Sequence, residues 1–246
     1  MTHFSCDMET TTETRIGLIV LQSDESLEHD MRRLIPSRVN LLVSRVPSGD
    51  EVTETTLGRM ATDLPAAAAL LPKAQDFAVV GYGCTSGAAV IGPSEVARLV
   101  QSGAPARQVT NPVTALLAAC NVLGIRKLGV LSPYVATVSD RLRSVLAADG
   151  IATPVFGSFN EAVEARVVRI APASVIAAAT TLAAQGDIDG LFLSCTNLRT
   201  LNVIPELEDR TDLPVLSSNQ VLGWHLMRCA QIGDRFQGLG RLLELQ

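Results

Sequence analysis

Asp76-Phe77-Ala78-Val79-Val80-Gly81-Tyr82-Gly83-Cys84-Thr85-Ser86-Gly87 divides into an apolar run and a small polar turn. The run over 77–80 is short and unbroken, the pattern of a strand buried in a parallel sheet. Gly81, Tyr82 and Gly83 close it, and Cys84, Thr85 and Ser86 stand where a helix is expected to begin. The arrangement returns downstream as Gly190-Leu191-Phe192-Leu193-Ser194-Cys195-Thr196-Asn197, again an apolar strand running into a Cys-Thr pair. Two cysteines at the carboxyl ends of strands, each followed by threonine, point to a pair of nucleophilic or acid/base thiols.

Working outward, strands alternate with helices along the whole chain, which indicates parallel α/β architecture. Strands are expected over 15–22, 39–46, 76–82, 127–132, 152–156, 190–194 and 214–217. Helices are expected over 24–34, 51–71, from 86 or 94 towards 100, 112–123, 135–148, 161–170, 172–185, 198–209 and from 219 onward. Asn111 and Pro112 suit an N-cap and a first helical position, and Gly124 the matching stop. Gly17-Leu18-Ile19-Val20 is echoed by Gly129-Val130-Leu131-Ser132, and that offset differs by one position from the offset between Cys84 and Cys195. Two offsets so nearly equal imply two similar halves.

The expected fold is therefore α/β with two pseudo-symmetric half-domains, each a roughly four-stranded parallel sheet flanked by helices. Residues 15–110 with the closing helix, 219–246, form the first half, residues 111–218 the second, and residues 1–14 a disordered tail. Ligands in such sheets lie beyond the carboxyl ends of the strands. Pseudo-symmetry then sets both Cys-Thr turns against one cleft between the halves.

With 246 residues, 47% of them apolar, the chain can bury a substantial core. A formal charge of −5 and the lack of any Lys/Arg-rich run disfavour nucleic acid as a partner. No apolar run is long enough to span a membrane, and the Thr-rich opening residues lack the apolar segment of a secretory signal. A cytoplasmic protein is expected. Its five cysteines are odd in number, and none lies in a C-x-x-C or zinc-spaced cluster, so neither disulfides nor metal is expected. Cys120 and Cys229 sit in apolar helical contexts and read as small buried hydrophobes. Cys6 lies in the tail. The loop over 81–87 lacks the Gly-x-Gly-x-x-Gly spacing and the Lys-Ser/Thr of nucleotide-binding loops, so no cofactor is expected.

A thiol at the start of a helix gains from free backbone N–H groups and the helix dipole, which favour its thiolate. Two such thiols on opposite sides of a small substrate can move protons unaided, one abstracting from carbon and the other returning a proton to the opposite face. Nearby hydroxyls and amides can hold a carboxylate and the enolate charge that develops.

The two Cys-Thr units, with the first-strand pattern Gly17-Leu18-Ile19-Val20-Leu21-Gln22-Ser23-Asp24, resemble the aspartate/glutamate racemase superfamily. The likeness spans roughly residues 15–232 and is nearest the branch holding maleate cis-trans isomerase, arylmalonate decarboxylase and the ectoine-utilisation proteins, most of all the last. The resemblance implies that Cys84 and Cys195 are the paired catalytic cysteines. It implies that Thr85, Ser86, Thr196 and Asn197 bind the substrate, with Tyr134 and Asn160 as further contacts. Maleate isomerases carry Ser-Asn-Thr-Thr after the first strand, where this chain has Ser23-Asp24-Glu25-Ser26. A carboxylate there repels a dicarboxylate by roughly 4 kcal/mol at ~4 Å and an effective dielectric of about 20, and it would attract an ammonium group. Asp24 also suits the plain role of a helix N-cap. A decarboxylase activity is the weaker reading, since those relatives keep only the second cysteine, with glycine at the first site, whereas this chain keeps both. The second motif lacks the histidine that follows Cys-Thr in glutamate racemases, so an amide-activated thiol is expected there. His29 reads as solvent-facing and His225 as a satisfied helix residue.

The expected function is a cofactor-independent racemase or isomerase of a small carboxylate or amino-acid-like substrate, in ectoine degradation if the nearest branch applies. One alternative is a maleate isomerase, in which a thiolate adds to the double bond, the new single bond rotates and elimination follows. Another is a non-catalytic ligand-binding protein. The apolar face of the helix over 112–123 suits a core or a contact with a second copy, and a homo-oligomer is expected.

Overall fold

The computed structural model describes residues 1–9 and 13–245. Residues 10–12 of the expected tail, and residue 246 of the expected closing helix, lie outside them. Residues 1–9 are exposed and take up neither helix nor strand.

Two four-stranded parallel sheets carry the architecture. In the first, β1 (Arg15–Leu21), β2 (Asn40–Val46), β3 (Val79–Gly83) and β4 (Val109–Thr110) lie in the order β2-β1-β3-β4. In the second, β5 (Lys127–Ser132), β6 (Ala152–Ser158), β7 (Gly190–Leu193) and β8 (Val215–Ser217) repeat it as β6-β5-β7-β8. Every residue of β1, β3, β7 and β8 is buried, as the unbroken apolar runs require of strands covered on both faces. The edge strand β4 has two residues and is not apparent from the sequence, because so short a segment carries no periodicity.

The helices follow each strand. The first sheet is followed by α1 (Leu27–Leu34), α2 (Glu54–Ala69), α3 (Thr85–Ile91), α4 (Pro93–Gly103) and α5 (Pro112–Leu123). The second is followed by α6 (Ala136–Ala148), α7 (Glu164–Val167), α8 (Pro172–Ala183), α9 (Ile204–Thr211), α10 (Ser218–Cys229) and α11 (Arg241–Glu244). Local chemistry sets their ends. Asn111 accepts from the amides of Val113 and Thr114 to open α5, and Gly124 closes it in the left-handed region. Thr53 and Thr56 cap each other to open α2.

Four elements differ from expectation. The closing helix expected over 219–246 ends at Cys229 as α10, and only the four-residue α11 follows it. The third strand, expected over 76–82, begins at Val79 and runs one residue further, to Gly83, where a Cβ would lie 2.1 Å from Leu27 Cδ2, so that only glycine lets α1 close on the strand. The helix expected over 161–170 shrinks to α7. Residues 50–52 take up the backbone groups before it: Val52 N donates to Ala162 O at 3.1 Å and Glu164 N to Asp50 O at 3.1 Å. The helix expected over 198–209 begins only at Ile204, since Pro205 belongs in a first turn and cannot continue an earlier one.

Candidate active site

The carboxyl ends of the strands place nearly every functional side chain. Asp24 follows β1, Cys84 follows β3, Tyr134 follows β5, Cys195 follows β7 and Ser218 follows β8. The two Cys-Thr turns meet. Thr85 Oγ1 donates to Ser218 Oγ at 2.7 Å, and the same Ser218 oxygen accepts from Cys195 N at 3.0 Å. Thr196 Oγ1 donates to Gly83 O at 3.3 Å. One hydroxyl thus ties the first motif to the second.

Cys84 is the N-cap of α3, with Sγ accepting from Gly87 N at 3.1 Å and the Tyr82 hydroxyl beside it. Cys195 is different. No helix follows it, against expectation, because Pro205 delays α9. Its backbone φ is 111°, a conformation L side chains rarely adopt and one that recurs at functional sites. Its Sγ accepts from Asn197 N at 3.3 Å and lies 2.9 Å from Tyr134 Oη. The chain has two tyrosines, and each stands against one of the two thiols.

The expectation of thiols lowered by helix amides is corrected as well. Burial pushes Cys84 up to about 12, with the Gly87 amide offsetting only part of it. Burial pushes Cys195 well above the ordinary thiol value, and the nearby Glu164 carboxylate adds to the effect. Desolvation of a fully enclosed thiolate outweighs a single amide.

Glu164, like Tyr82 and Ser218, is a site residue that sequence reading missed. It is 2% exposed and sits on α7, delivered by the turn that pairs with 50–52. Its Oε1 accepts from Tyr134 Oη at 2.6 Å and its Oε2 from Asn197 Nδ2 at 2.8 Å. Burial raises its carboxyl above the usual range, the Tyr134 and Asn197 bonds oppose that, and Asp24 adds to it. No local motif marks the position, which lies among other charged residues, Glu161, Arg166 and Arg169.

Asp24 is 4% exposed. Its Oδ1 accepts from Ser26 N at 2.8 Å and Leu27 N at 2.7 Å, while Oδ2 has no hydrogen-bond partner. Burial raises its carboxyl, the Leu27 and Ser26 amides, the Thr196 hydroxyl and Arg45 oppose the rise, and both thiols and Glu164 lie within its field. Ser86 lies with Cys84, Tyr134 and Glu164 around a cavity of about 20 Å³, room for little more than a water molecule. Residues 48–57 cover it. Asn160 is not brought in; it is exposed in the turn before α7, with φ 54°, and its amide donates to Ser158 Oγ.

Among the described residues no grouping of His, Cys, Asp and Glu has the arrangement of a metal site, and no helix is long and apolar enough to cross a membrane. Two thiols, two tyrosyl hydroxyls and two carboxyls enclosed together can move protons and can add a sulfur to an electrophilic carbon.

A family model described as arylmalonate decarboxylase matches residues 93–243. The arylmalonate decarboxylase of Bordetella bronchiseptica is 30% identical over 250 residues, covering 96% of this chain and 99% of that protein. The maleate isomerase of Nocardia farcinica (strain IFM 10152) is 25% identical over 247 residues, covering 93% and 95%. A solved structure of Nocardia farcinica maleate cis-trans isomerase carries a covalently bound succinylcysteine intermediate in a cysteine-to-serine mutant. It matches with a TM-score of 0.83 at 22% identity, over 94% of this chain and 98% of that one, a likeness of fold.

Proposed function

The chain belongs to the arylmalonate decarboxylase family, and from that membership we propose that it is a cofactor-independent racemase or isomerase working through Cys84 and Cys195. The observation that carries this reading is the Ser218 hydroxyl, bonded at once to Thr85 and to the Cys195 amide, which holds the two Cys-Thr turns against each other. One thiol abstracts a proton from a substrate carbon and the other delivers one to the opposite face. Thr85, Ser86, Thr196 and Asn197 supply hydroxyls and amides for the substrate carboxylate, and Tyr134 borders the reacting carbon.

The substrate is an amino-acid-like molecule, as in the ectoine-utilisation branch. Two buried carboxyls, Asp24 and Glu164, face the thiols; the half-exposed Arg45 acts on Asp24 from outside, and among the described residues neither carboxyl forms an ion pair. An ammonium group on the substrate would offset their charge, whereas a dianion would be repelled. We take the protein to act in the cytoplasm as a homo-oligomer.

A second reading, maleate isomerisation by thiolate addition, draws on the succinylcysteine seen in the Nocardia farcinica enzyme. Proton NMR in D₂O separates the two. Diaminobutyrate, its acetylated forms, aspartate, glutamate and maleate are each incubated with wild type, Cys84→Ser and Cys195→Ser. Loss of an α-proton signal that needs both cysteines is the expected result. Conversion of maleate to fumarate, with amino acids untouched, would transfer the assignment to the second reading. Saturable binding that raises the melting temperature without any turnover would make the protein a ligand-binding relative.

A further inference from the structure

Resting on the two-thiol reading, we propose that Glu164 is the proton acceptor for Cys195, reached through the hydroxyl of Tyr134. Tyr134 Oη has one proton and gives it to Glu164 Oε1 at 2.6 Å, so its lone pairs face Cys195 Sγ at 2.9 Å. The thiol then donates to Oη, and the three groups form one chain, S–H to O–H to carboxylate. Two protons shift along it together. The Cys195 S–H bond breaks as its proton joins Oη, and the original Oη–H bond breaks as that proton joins Oε1. The products are a thiolate, an intact phenol now donating towards sulfur, and a neutral carboxylic acid. The buried charge is one negative unit before and after, so the step moves charge without adding any to a desolvated site.

The surroundings fit this role. Asn197 fixes both ends of the chain, its amide N–H on Cys195 Sγ at 3.3 Å and its Nδ2 on Glu164 Oε2 at 2.8 Å. Cys195 has neither a following helix nor a following histidine to stabilise its thiolate. Burial raises the proton affinity of Glu164, which narrows its gap to the thiol. The groups facing Cys195 are Asp24 after β1, Tyr134 after β5, Glu164 on α7 and the Asn197 amide; Glu164 and Tyr134 are the titratable ones in hydrogen-bonded sequence with it. Cys84 has no such outlet. The Tyr82 hydroxyl bonds to it and also reaches Met60 Sδ at 3.5 Å, which cannot take up a proton, and among the described residues no carboxylate is hydrogen-bonded to Tyr82. Cys195 is accordingly the thiol that loses its proton within the site, and Glu164 is a positioning residue that acts through Tyr134.

Alkylation by iodoacetamide tests this without any substrate. Wild type, Glu164→Gln and Tyr134→Phe are treated across neutral to alkaline pH, and labelling at Cys195 and Cys84 is read by peptide mass spectrometry. The ratio of the two rates cancels any change in how often the site opens. Loss of the Glu164 charge by itself would ease ionisation of both thiols, so the lost acceptor is read from the opposite change: both variants are expected to lower the Cys195:Cys84 ratio at neutral pH by about tenfold or more, and to move the Cys195 pH profile towards that of an isolated buried thiol. Glu164→Asp is expected to recover part of the loss. An unchanged ratio and profile in either folded variant would overturn the relay. That outcome leaves the two-thiol reading to the deuterium experiment, and a failed deuterium experiment leaves the alkylation ratio as it stands.

Discussion

Asp24 divides its work between its two oxygens. Oδ1 is held by the amides of Ser26 and Leu27 at the entry to α1, while Oδ2 is buried without a partner. An Asp24→Asn variant keeps an oxygen for those amides and removes a buried charge. Its stability is therefore expected to change by no more than about 1 kcal/mol. Selectivity is expected to change far more. Removing a repulsion of up to roughly 4 kcal/mol raises activity on a dicarboxylate relative to an ammonium-bearing substrate, by up to about three orders of magnitude. Rates on maleate and on diaminobutyrate, measured side by side, check it; an unchanged ratio would leave Asp24 with the capping role alone.

The element that positions the first thiol is α3, and Gly87 in its first turn is the tightest point. Its amide donates to Cys84 Sγ, and an added Cβ would lie 2.5 Å from Tyr82 Oη and 2.9 Å from that sulfur. Neither atom belongs to a side chain free to swing away inside the closed site. Gly87→Ala is expected to cost about 1–3 kcal/mol through overpacking and to reduce turnover by at least about tenfold through displacement of the thiol. Denaturant unfolding and turnover, measured on the same preparation, check both. The second thiol has no corresponding helix, so the two halves share a sheet topology but not a way of holding their cysteines.

At the scale of the whole molecule, burial raises the carboxyls of Asp24, Asp30, Glu164 and Glu208. The folded state then binds protons that the unfolded chain releases, and the stability these groups confer is full below the ordinary carboxylate value and falls as pH rises through the raised ones. His225, lowered by burial, works the other way and loses stability as pH falls through its own value. Replacing one carboxyl isolates its part. The melting temperature of Glu164→Gln minus that of wild type is expected to become more positive from about pH 5 to about pH 8, by a few degrees. A difference that stays flat across that range would show that Glu164 does not hold its proton more tightly in the fold.

The sequence by itself determined the layered α/β plan and the two thiols. Unbroken apolar runs such as 77–80 and 190–193 suit only strands covered on both faces, and the repeated strand-Cys-Thr unit is local enough to be read directly. Asn111, Pro112 and Gly124 likewise carry their capping chemistry in their own side chains or backbone. The tertiary structure alone decided how the thiols are equipped. Glu164 reaches Tyr134 and Asn197 because residues 50–52, far away in the chain, take up the backbone groups around 162–164 and shorten the helix expected there. Tyr82 and Ser218 became site residues the same way, through contacts between segments distant in sequence. Asn160 stood beside the right segment, but its turn points it to solvent. Periodicity and capping are properties of neighbours along the chain, whereas the desolvation that raises these thiols and carboxyls exists only once both sheets have closed over them.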